Sequence, residues 1–192
     1  MTTIAIIYHS GFGHTEILAH AAAEGVTRAG GTPLLLKIES GTQDFSALLD
    51  ASLKADGILF GAPTYMGSVS APMKALMDAS SKVWYTQGWK DKLGGAFTNS
   101  SSLSGDKLNS LIQLAVFGAQ HSMIWVSMGM MPGNPNGNSD VAAATPNRLG
   151  SFLGAMAQSD NAGPDITPPE GDKETVRILG ARITGFAKKL KA

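Results

Sequence analysis

The alternation of short apolar runs with amphipathic stretches constrains the fold of this chain more than any other sequence feature. The apolar runs are Ile4–Tyr8, Leu34–Ile38, Gly57–Ala62, Leu93–Thr98 and Met123–Val126. Continuous apolar runs of this length predict strands that are covered on both faces. Between these runs, apolar residues recur at helical spacing, and a last helical pattern extends from Val176 to Leu190.

Strands that alternate with helices in this way predict an α/β fold built on a doubly wound parallel sheet. Right-handed crossovers leave two common strand orders, Rossmann-like and flavodoxin-like, and both place ligands at the carboxyl ends of the strands. We expect one domain over residues 1–192, with an excursion at about 127–147 that is rich in Gly, Pro and Asn. Residues 150–157 are a candidate for the resumption of the fifth strand after this excursion.

Composition narrows the possible function classes. The 15 Lys and Arg balance the 15 Asp and Glu, which argues against a general nucleic-acid binder. The absence of Cys excludes thiolate nucleophiles and cysteine-bound metal clusters, and no His spacing predicts a metal site. The uncharged stretch between Lys107 and Asp140 is interrupted by polar residues, so it predicts no membrane span. We expect a cytoplasmic protein.

The loop after the first predicted strand favours anion binding. It contains Ser10, Gly11, Phe12, Gly13, His14 and Thr15. Its glycines and its position before a helix predict backbone N–H groups that face a phosphate. It lacks the Lys of a nucleotide P-loop, and Glu16 stands where a Rossmann fingerprint needs Gly. A Gly-rich turn without a ligand is the alternative.

The loops after the third and fourth predicted strands supply polar edges and flat apolar surfaces. They contain Pro63, which is expected to end the third strand, with Thr64, Tyr65, Met66 and Gly67, and then Asn99, Ser100, Ser101, Ser102, Leu103 and Ser104. Each loop alone is consistent with a simple connector. Because the carboxyl ends of parallel strands meet at one edge, the three loops together predict a crevice for a flat, phosphorylated ligand.

These three loops resemble the FMN-binding loops of flavodoxin-like NAD(P)H:quinone oxidoreductases, which include the tryptophan-repressor-binding-protein group. The resemblance covers nearly the whole chain, including His121-Ser122-Met123 before the fifth strand. It implies a five-stranded sheet in the order 2-1-3-4-5 and non-covalent FMN. It also implies two-electron reduction of a quinone by NADH or NADPH, in a homodimer or homotetramer.

The resemblance also implies roles for individual residues. Residues 10–15 would hold the FMN phosphate, and residues 63–67 and 99–104 would line the flavin ring. His121 would lie near the ring edge, where it could assist proton delivery, and no other catalytic side chain is needed. Phe12 would contact the nicotinamide, and Trp84 the quinone.

Two alternatives stay open at this point. A flavodoxin-type carrier of single electrons would bind FMN in the same loops, but such carriers are strongly acidic and this chain is neutral. A Rossmann dehydrogenase is disfavoured by Glu16. The aromatic residues between Trp84 and Trp89 are expected in a loop that serves either the pocket or a contact between subunits.

Overall fold

The computed structural model describes residues 1–133 and 142–191. The strands within these ranges are β1 (Thr3–His9), β2 (Thr32–Ile38), β3 (Gly57–Tyr65), β4 (Ser68–Val69), β5 (Leu93–Ser100), β6 (Ile124–Trp125) and β7 (Ala155–Gln158). The helices are α1 (His14–Arg28), α2 (Ser46–Ser52), α3 (Ala71–Ala79), α4 (Ser81–Tyr85), α5 (Lys107–Gln120) and α6 (Glu170–Lys191).

The central sheet has the order β2-β1-β3-β5-β6, and its strands run parallel. The fifth position is shared by two segments, because β6 pairs with the start of β5 at Leu93 and β7 pairs with its end from Phe97 to Ser100. The predicted order 2-1-3-4-5 is therefore confirmed, and residues 155–158 resume the fifth strand. Of the predicted excursion, residues 134–141 lie outside the described ranges.

Helices cover both faces of the sheet, as the continuous apolar strands predicted. Ile4, Ile6 and Tyr8 of β1 pack in one core with α1 and α6, whereas Ala5 and Ile7 pack in a second core on the opposite face. The backbones of α1 and α6 approach closely, since a Cβ on Gly25 would lie 2.0 Å from the Arg177 carbonyl oxygen. Both cores hold the strands rigidly, which fixes the loops at their carboxyl ends.

Two local predictions are wrong. Pro63 does not end the third strand: β3 continues to Tyr65 and turns into the short antiparallel strand β4. Pro63 lies beyond Gly61, the last β3 residue that pairs with β1, and a residue without an N–H is tolerated at such a free strand edge. The expected loop around Trp84 begins as helix α4, and Trp89 is fully buried.

No helix within the described residues is long and apolar enough to cross a membrane.

Candidate functional site

A cavity of about 570 Å³ opens at the carboxyl ends of β1, β3, β5 and β7. This volume lies within the range of small-molecule and cofactor sites. Its wall consists of four loop segments, which contribute Ser10, Gly11, Phe12, His14 and Thr15; Pro63, Thr64, Tyr65, Met66 and Gly67; Asn99, Ser100, Ser101, Ser102 and Gly105; and Ser159, Asp160, Asn161, Ala162, Gly163 and Pro164. Among the described residues this wall contains no Lys and no Arg, so backbone N–H groups and hydroxyls are its main donors for an anion.

The loop before α1 presents backbone donors to this cavity. Within the described residues, the N–H groups of residues 11–15 donate no hydrogen bond to the protein. Ser10 Oγ accepts a hydrogen bond from the N–H of Glu16 at 3.1 Å, which fixes the first turn of the helix. Free N–H groups at the start of a 15-residue helix could hold a phosphate.

Gly13 determines the backbone path of this loop, although Gly13 itself does not line the cavity. Its φ of 89° is in the left-handed region, which an L side chain adopts only with strain. A Cβ at this position would also lie 2.9 Å from Cγ of Pro164. The loop before α1 therefore packs directly against the loop that follows β7.

The carboxylate of Glu16 is held by other residues beside the helix start. It accepts a hydrogen bond from the Tyr8 hydroxyl at 3.1 Å and pairs with Lys37 Nζ at 3.3 Å. Burial and the nearby Glu16 raise the pKa of Tyr8 well above its usual value, so the phenol stays protonated and continues to donate. These contacts partly neutralise the acidic group in the first helical turn.

The β3–β4 hairpin places an aromatic ring and a thioether at the mouth of the cavity. Its two turn residues, Met66 and Gly67, have φ angles of 48° and 76°. A positive φ is strained for Met, yet it leaves the Met66 side chain fully exposed. Tyr65 packs edge-on against Phe12, with ring centroids 6.4 Å apart. The cavity mouth is thus bordered by apolar, flat or polarisable groups that suit a planar ligand.

Hydrogen bonds to α5 and β5 hold the hairpin in place. The Thr64 hydroxyl lies 2.7 Å from the hydroxyls of both Thr98 and Ser110. Asn109 Nδ2 donates to the Gly67 carbonyl at 2.7 Å. The hairpin is therefore anchored on the scaffold although its tip is exposed.

The loop that follows β7, residues 159–164, was not predicted as part of the site. Ser159 Oγ donates to Asn99 Oδ1 at 2.8 Å, and His14 Nε2 lies 2.9 Å from the Ala162 carbonyl oxygen. The sequence predicts the excursion at about 127–147 directly after the apolar run of β6, and it predicts the crevice from three other loops. Because β7 and not β6 reaches the carboxyl edge of the sheet, the loop after β7 closes the cavity.

Most of the sequence-predicted residues meet at this cavity, but five do not line it, namely Gly13 and four others. Leu103 and Ser104 lie at the tip of the third loop and face a separate shallow groove beside α5. His121 lies at the end of α5, and Trp84 on α4, both near the amino-terminal edge of the sheet. Within one chain the structure therefore separates His121 and Trp84 from the other predicted site residues.

His121 belongs to a buried aromatic cluster. Its ring lies 4.3 Å from the Trp89 ring and 4.8 Å from the Phe117 ring, measured between centroids. Its Nε2 is 2.9 Å from Ser80 Oγ, whose own proton is donated to the Met77 carbonyl. His121 must therefore donate to Ser80 through Nε2–H, which leaves a buried Nδ1 without a partner among the described residues. This is a core histidine.

Comparison with known proteins agrees with the fold. Residues 12–133 match the family described as NADPH-dependent FMN reductase. The chain belongs to this family. It is 42% identical over 192 residues, all of both chains, to a protein named Flavodoxin FldP from Pseudomonas aeruginosa. It is 27% identical over 209 residues to an NAD(P)H dehydrogenase (quinone) from Archaeoglobus fulgidus, covering 99% of this chain and 100% of that protein.

A solved structure of a relative shares the whole architecture. The flavodoxin, WrbA-like protein from Agrobacterium tumefaciens superposes with a TM-score of 0.76 at 37% identity, over 98% of this chain and 99% of that one. The resemblance to flavodoxin-like FMN-dependent NAD(P)H:quinone oxidoreductases is thereby confirmed. FMN is the cofactor, and a reduced nicotinamide the electron donor, that family membership assigns to this chain.

The residues of the cavity fit that cofactor. A terminal phosphate matches the free N–H groups of residues 11–15, which need no cationic side chain. A flat ring with polar edges matches the hairpin residues Tyr65 and Met66 on one side and the serine-rich loop on the other.

Proposed function

We propose that this protein is an FMN-dependent oxidoreductase that transfers two electrons from NADH or NADPH to a quinone by a ping-pong mechanism. The observation that carries this proposal is the shape of the cavity. Its floor and sides are formed by four loops, and its mouth is bordered by Phe12, Tyr65 and Met66. A planar cofactor that fills such a cavity leaves one face for both substrates.

The residues that hold the cofactor follow from their positions. The N–H groups of residues 11–15 bind the phosphate, with the hydroxyls of Ser10 and Thr15 beside them. Residues 63–67 would cover one side of the ring, and residues 99–102 would hold its edge. Bound FMN supplies the hydride chemistry, since it accepts electrons from a nicotinamide and passes them to a quinone.

The protein contributes positioning and exclusion of water. Phe12 is 75% exposed and stands at the mouth, where a nicotinamide or quinone ring stacks against it. Donor and acceptor atoms must approach to about 3–3.5 Å for hydride transfer, so each substrate needs the same open face. The two substrates therefore bind one after the other, and no ionisable side chain is required for the hydride step.

Steady-state kinetics test this order. The FMN-loaded protein should oxidise NADH or NADPH faster when benzoquinone is added, with parallel double-reciprocal lines at several quinone concentrations. High quinone should inhibit competitively against the nicotinamide. Phe12→Ala should raise KM for both substrates, whereas Phe186→Ala, which removes a partly exposed phenylalanine from α6, should change neither. Intersecting lines would show two separate substrate sites and would contradict the ping-pong proposal.

A second candidate is an electron carrier without substrate turnover. It is favoured by the 42% identity to a protein named as a flavodoxin. The neutral charge balance of this chain favours the enzyme, because acidic surfaces serve the docking of carriers. A protein that binds FMN yet needs a separate reductase to oxidise NADH or NADPH would be a carrier.

We also propose that the chain assembles as a homodimer or homotetramer in the cytoplasm. Exposed aromatic side chains on α4, near the amino-terminal edge of the sheet, support assembly, since Trp84 is 46% exposed and Tyr85 is 83% exposed. Trp84 reaches a quinone only if it comes from a second copy of the chain. Light scattering of the FMN-loaded protein measures the assembly state directly.

A further inference from the structure

A buried lysine lies directly behind the serine-rich loop of the cavity. Lys107 is the first residue of α5, and its side chain is fully buried. Burial of a lysine is costly, and the start of a helix is an unfavourable place for a positive charge. A lysine at this position therefore needs strong compensating contacts.

The loop provides those contacts. Lys107 Nζ donates to Ser100 Oγ at 2.7 Å, to the Ser102 carbonyl at 2.6 Å and to the Leu103 carbonyl at 3.0 Å. An ammonium group has three donors, so all of them are satisfied by this one loop. The loop is wrapped around the lysine.

This wrapping determines the direction of the loop's backbone groups. The carbonyls of Ser102 and Leu103 face Lys107, while those of Ser100 and Ser101 accept from Ser159 N–H and Gln158 Nε2. In a planar trans peptide the N–H points opposite to the C=O. The N–H groups of residues 101–104 therefore point away from these partners, and they donate no hydrogen bond within the described residues.

Charged groups from two neighbouring segments face the lysine. Asp172 of α6 lies near it and favours its charged form, whereas Arg148, paired with Asp172 at 2.8 Å, opposes it. Burial is the largest influence, and it lowers the pKa of Lys107 to about 8. The lysine is therefore largely protonated at neutral pH and loses its charge in mildly alkaline solution.

We propose that Lys107 is a positioning residue for the flavin, which holds the loop of residues 100–104 so that the N–H groups of Ser101 and Ser102, which line the cavity, face the polar edge of the ring. The proposal rests on the proposed function of the cavity. The positive charge behind the loop also favours an electron-rich ligand edge in front of it. Lys107 does not touch the ligand, since it is absent from the cavity wall.

The experiment measures FMN binding to the apoprotein by quenching of flavin fluorescence. Lys107→Met should weaken FMN binding about tenfold or more, because charge-assisted hydrogen bonds order the loop. Lys107→Gln keeps a donor without the charge and should weaken binding less. Lys92→Met is the matched control, since Lys92 Nζ also donates to backbone carbonyls, those of Leu53 and Ala55, before the start of β5. Lys92→Met should leave FMN binding unchanged.

A pH series separates the charge from a merely structural role. FMN affinity of the unsubstituted protein should fall as the pH rises from 7 to 9, and this dependence should be absent in Lys107→Gln. The Lys92→Met variant should retain it. If Lys107→Met does not fold, the FMN affinity of Lys107→Gln and the pH series still test the role of Lys107. Unchanged FMN affinity in a folded Lys107→Gln variant, together with a flat pH series, would overturn the role of Lys107.

Failure of this proposal is distinct from failure of the proposed function. If the unsubstituted protein binds FMN and reduces quinone but the lysine variants match it, only the role of Lys107 is wrong. If the unsubstituted protein binds no FMN, the proposed function itself is wrong.

Discussion

Gly13 combines two requirements that only glycine meets, a left-handed backbone and contact with a neighbouring proline. Its φ of 89° costs an L residue about 1–3 kcal/mol, and any Cβ would press against Pro164. Gly13→Val should therefore lose FMN affinity while the apoprotein keeps its far-UV circular dichroism. Gly185→Ala is the control, because nothing lies within 4 Å of its Cβ position in α6. Unchanged FMN affinity in Gly13→Val would remove this loop from the site.

Single residues were predictable where local chemistry decides their role. The need for glycine at position 13 follows from the sequence, but its contact with Pro164 does not, because 151 positions separate the two residues. His121 shows the opposite case. Its place in the sequence resembles a family position near the flavin, whereas its contacts with Trp89 and Ser80 depend on how distant segments pack.

Strand β7 and the loop after it form the element that closes the cavity. The hydroxyl of Ser159 is buried and donates to Asn99, which lines the wall. Ser159→Ala should lower stability by about 1 kcal/mol and weaken FMN binding several-fold, because Asn99 Oδ1 loses its partner. Ser151→Ala is matched to it, since Ser151 is also buried and donates to a carbonyl, that of Gly154, but does not line the cavity.

The two serine variants separate binding from stability. Urea unfolding should show a similar loss for both, while fluorescence titration should show weaker FMN binding for Ser159→Ala alone. Equal FMN affinities in the two variants would show that the loop of residues 159–164 does not shape the site.

Helices and strands were predictable where the apolar pattern is continuous. They were less predictable where a strand depends on pairing with a segment distant in the sequence. The strands with β-branched and aliphatic runs were placed correctly, and helices α1, α2, α3 and α5 follow the apolar spacing. β7 has the sequence Ala-Met-Ala-Gln, which has little strand preference of its own. Its register comes from pairing with Phe97–Ser100 of β5, so only the folded sheet reveals which loop closes the cavity.

For the whole molecule, parallel strands with right-handed crossovers left two common sheet orders, and the family resemblance selected the order that is observed. The same arrangement places the aromatic cluster of His121 at the edge of the sheet opposite the cavity. That cluster joins α3, α5 and the segment before β5 through Ser80, Phe117 and Trp89. Its protonation state therefore affects the stability of the entire fold rather than the chemistry of the cavity.

Acid should destabilise the protein through this cluster. Burial lowers the pKa of His121 from 6.5 to about 4, and among the described residues Nδ1 has no partner for a second proton. The unfolded chain thus binds more protons than the folded one between these two values. Stability is fully present above about pH 6.5 and should fall by up to about 3 kcal/mol as the pH drops to about 4. Burial lowers the pKa of His9 as well, so protonation of His9 in acid should lower the stability further.

Urea unfolding at a series of pH values measures this effect. His121→Gln retains an N–H donor for Ser80 but cannot titrate, so its stability should depend less on pH between 6.5 and 4 than that of the unsubstituted protein. His20→Gln, on the exposed side of α1, should leave the pH dependence as it is. An identical pH dependence in His121→Gln and the unsubstituted protein would show that other groups cause the loss of stability in acid. Because the cluster lies away from the cavity, FMN affinity of the folded His121→Gln variant at pH 7 should match that of the unsubstituted protein.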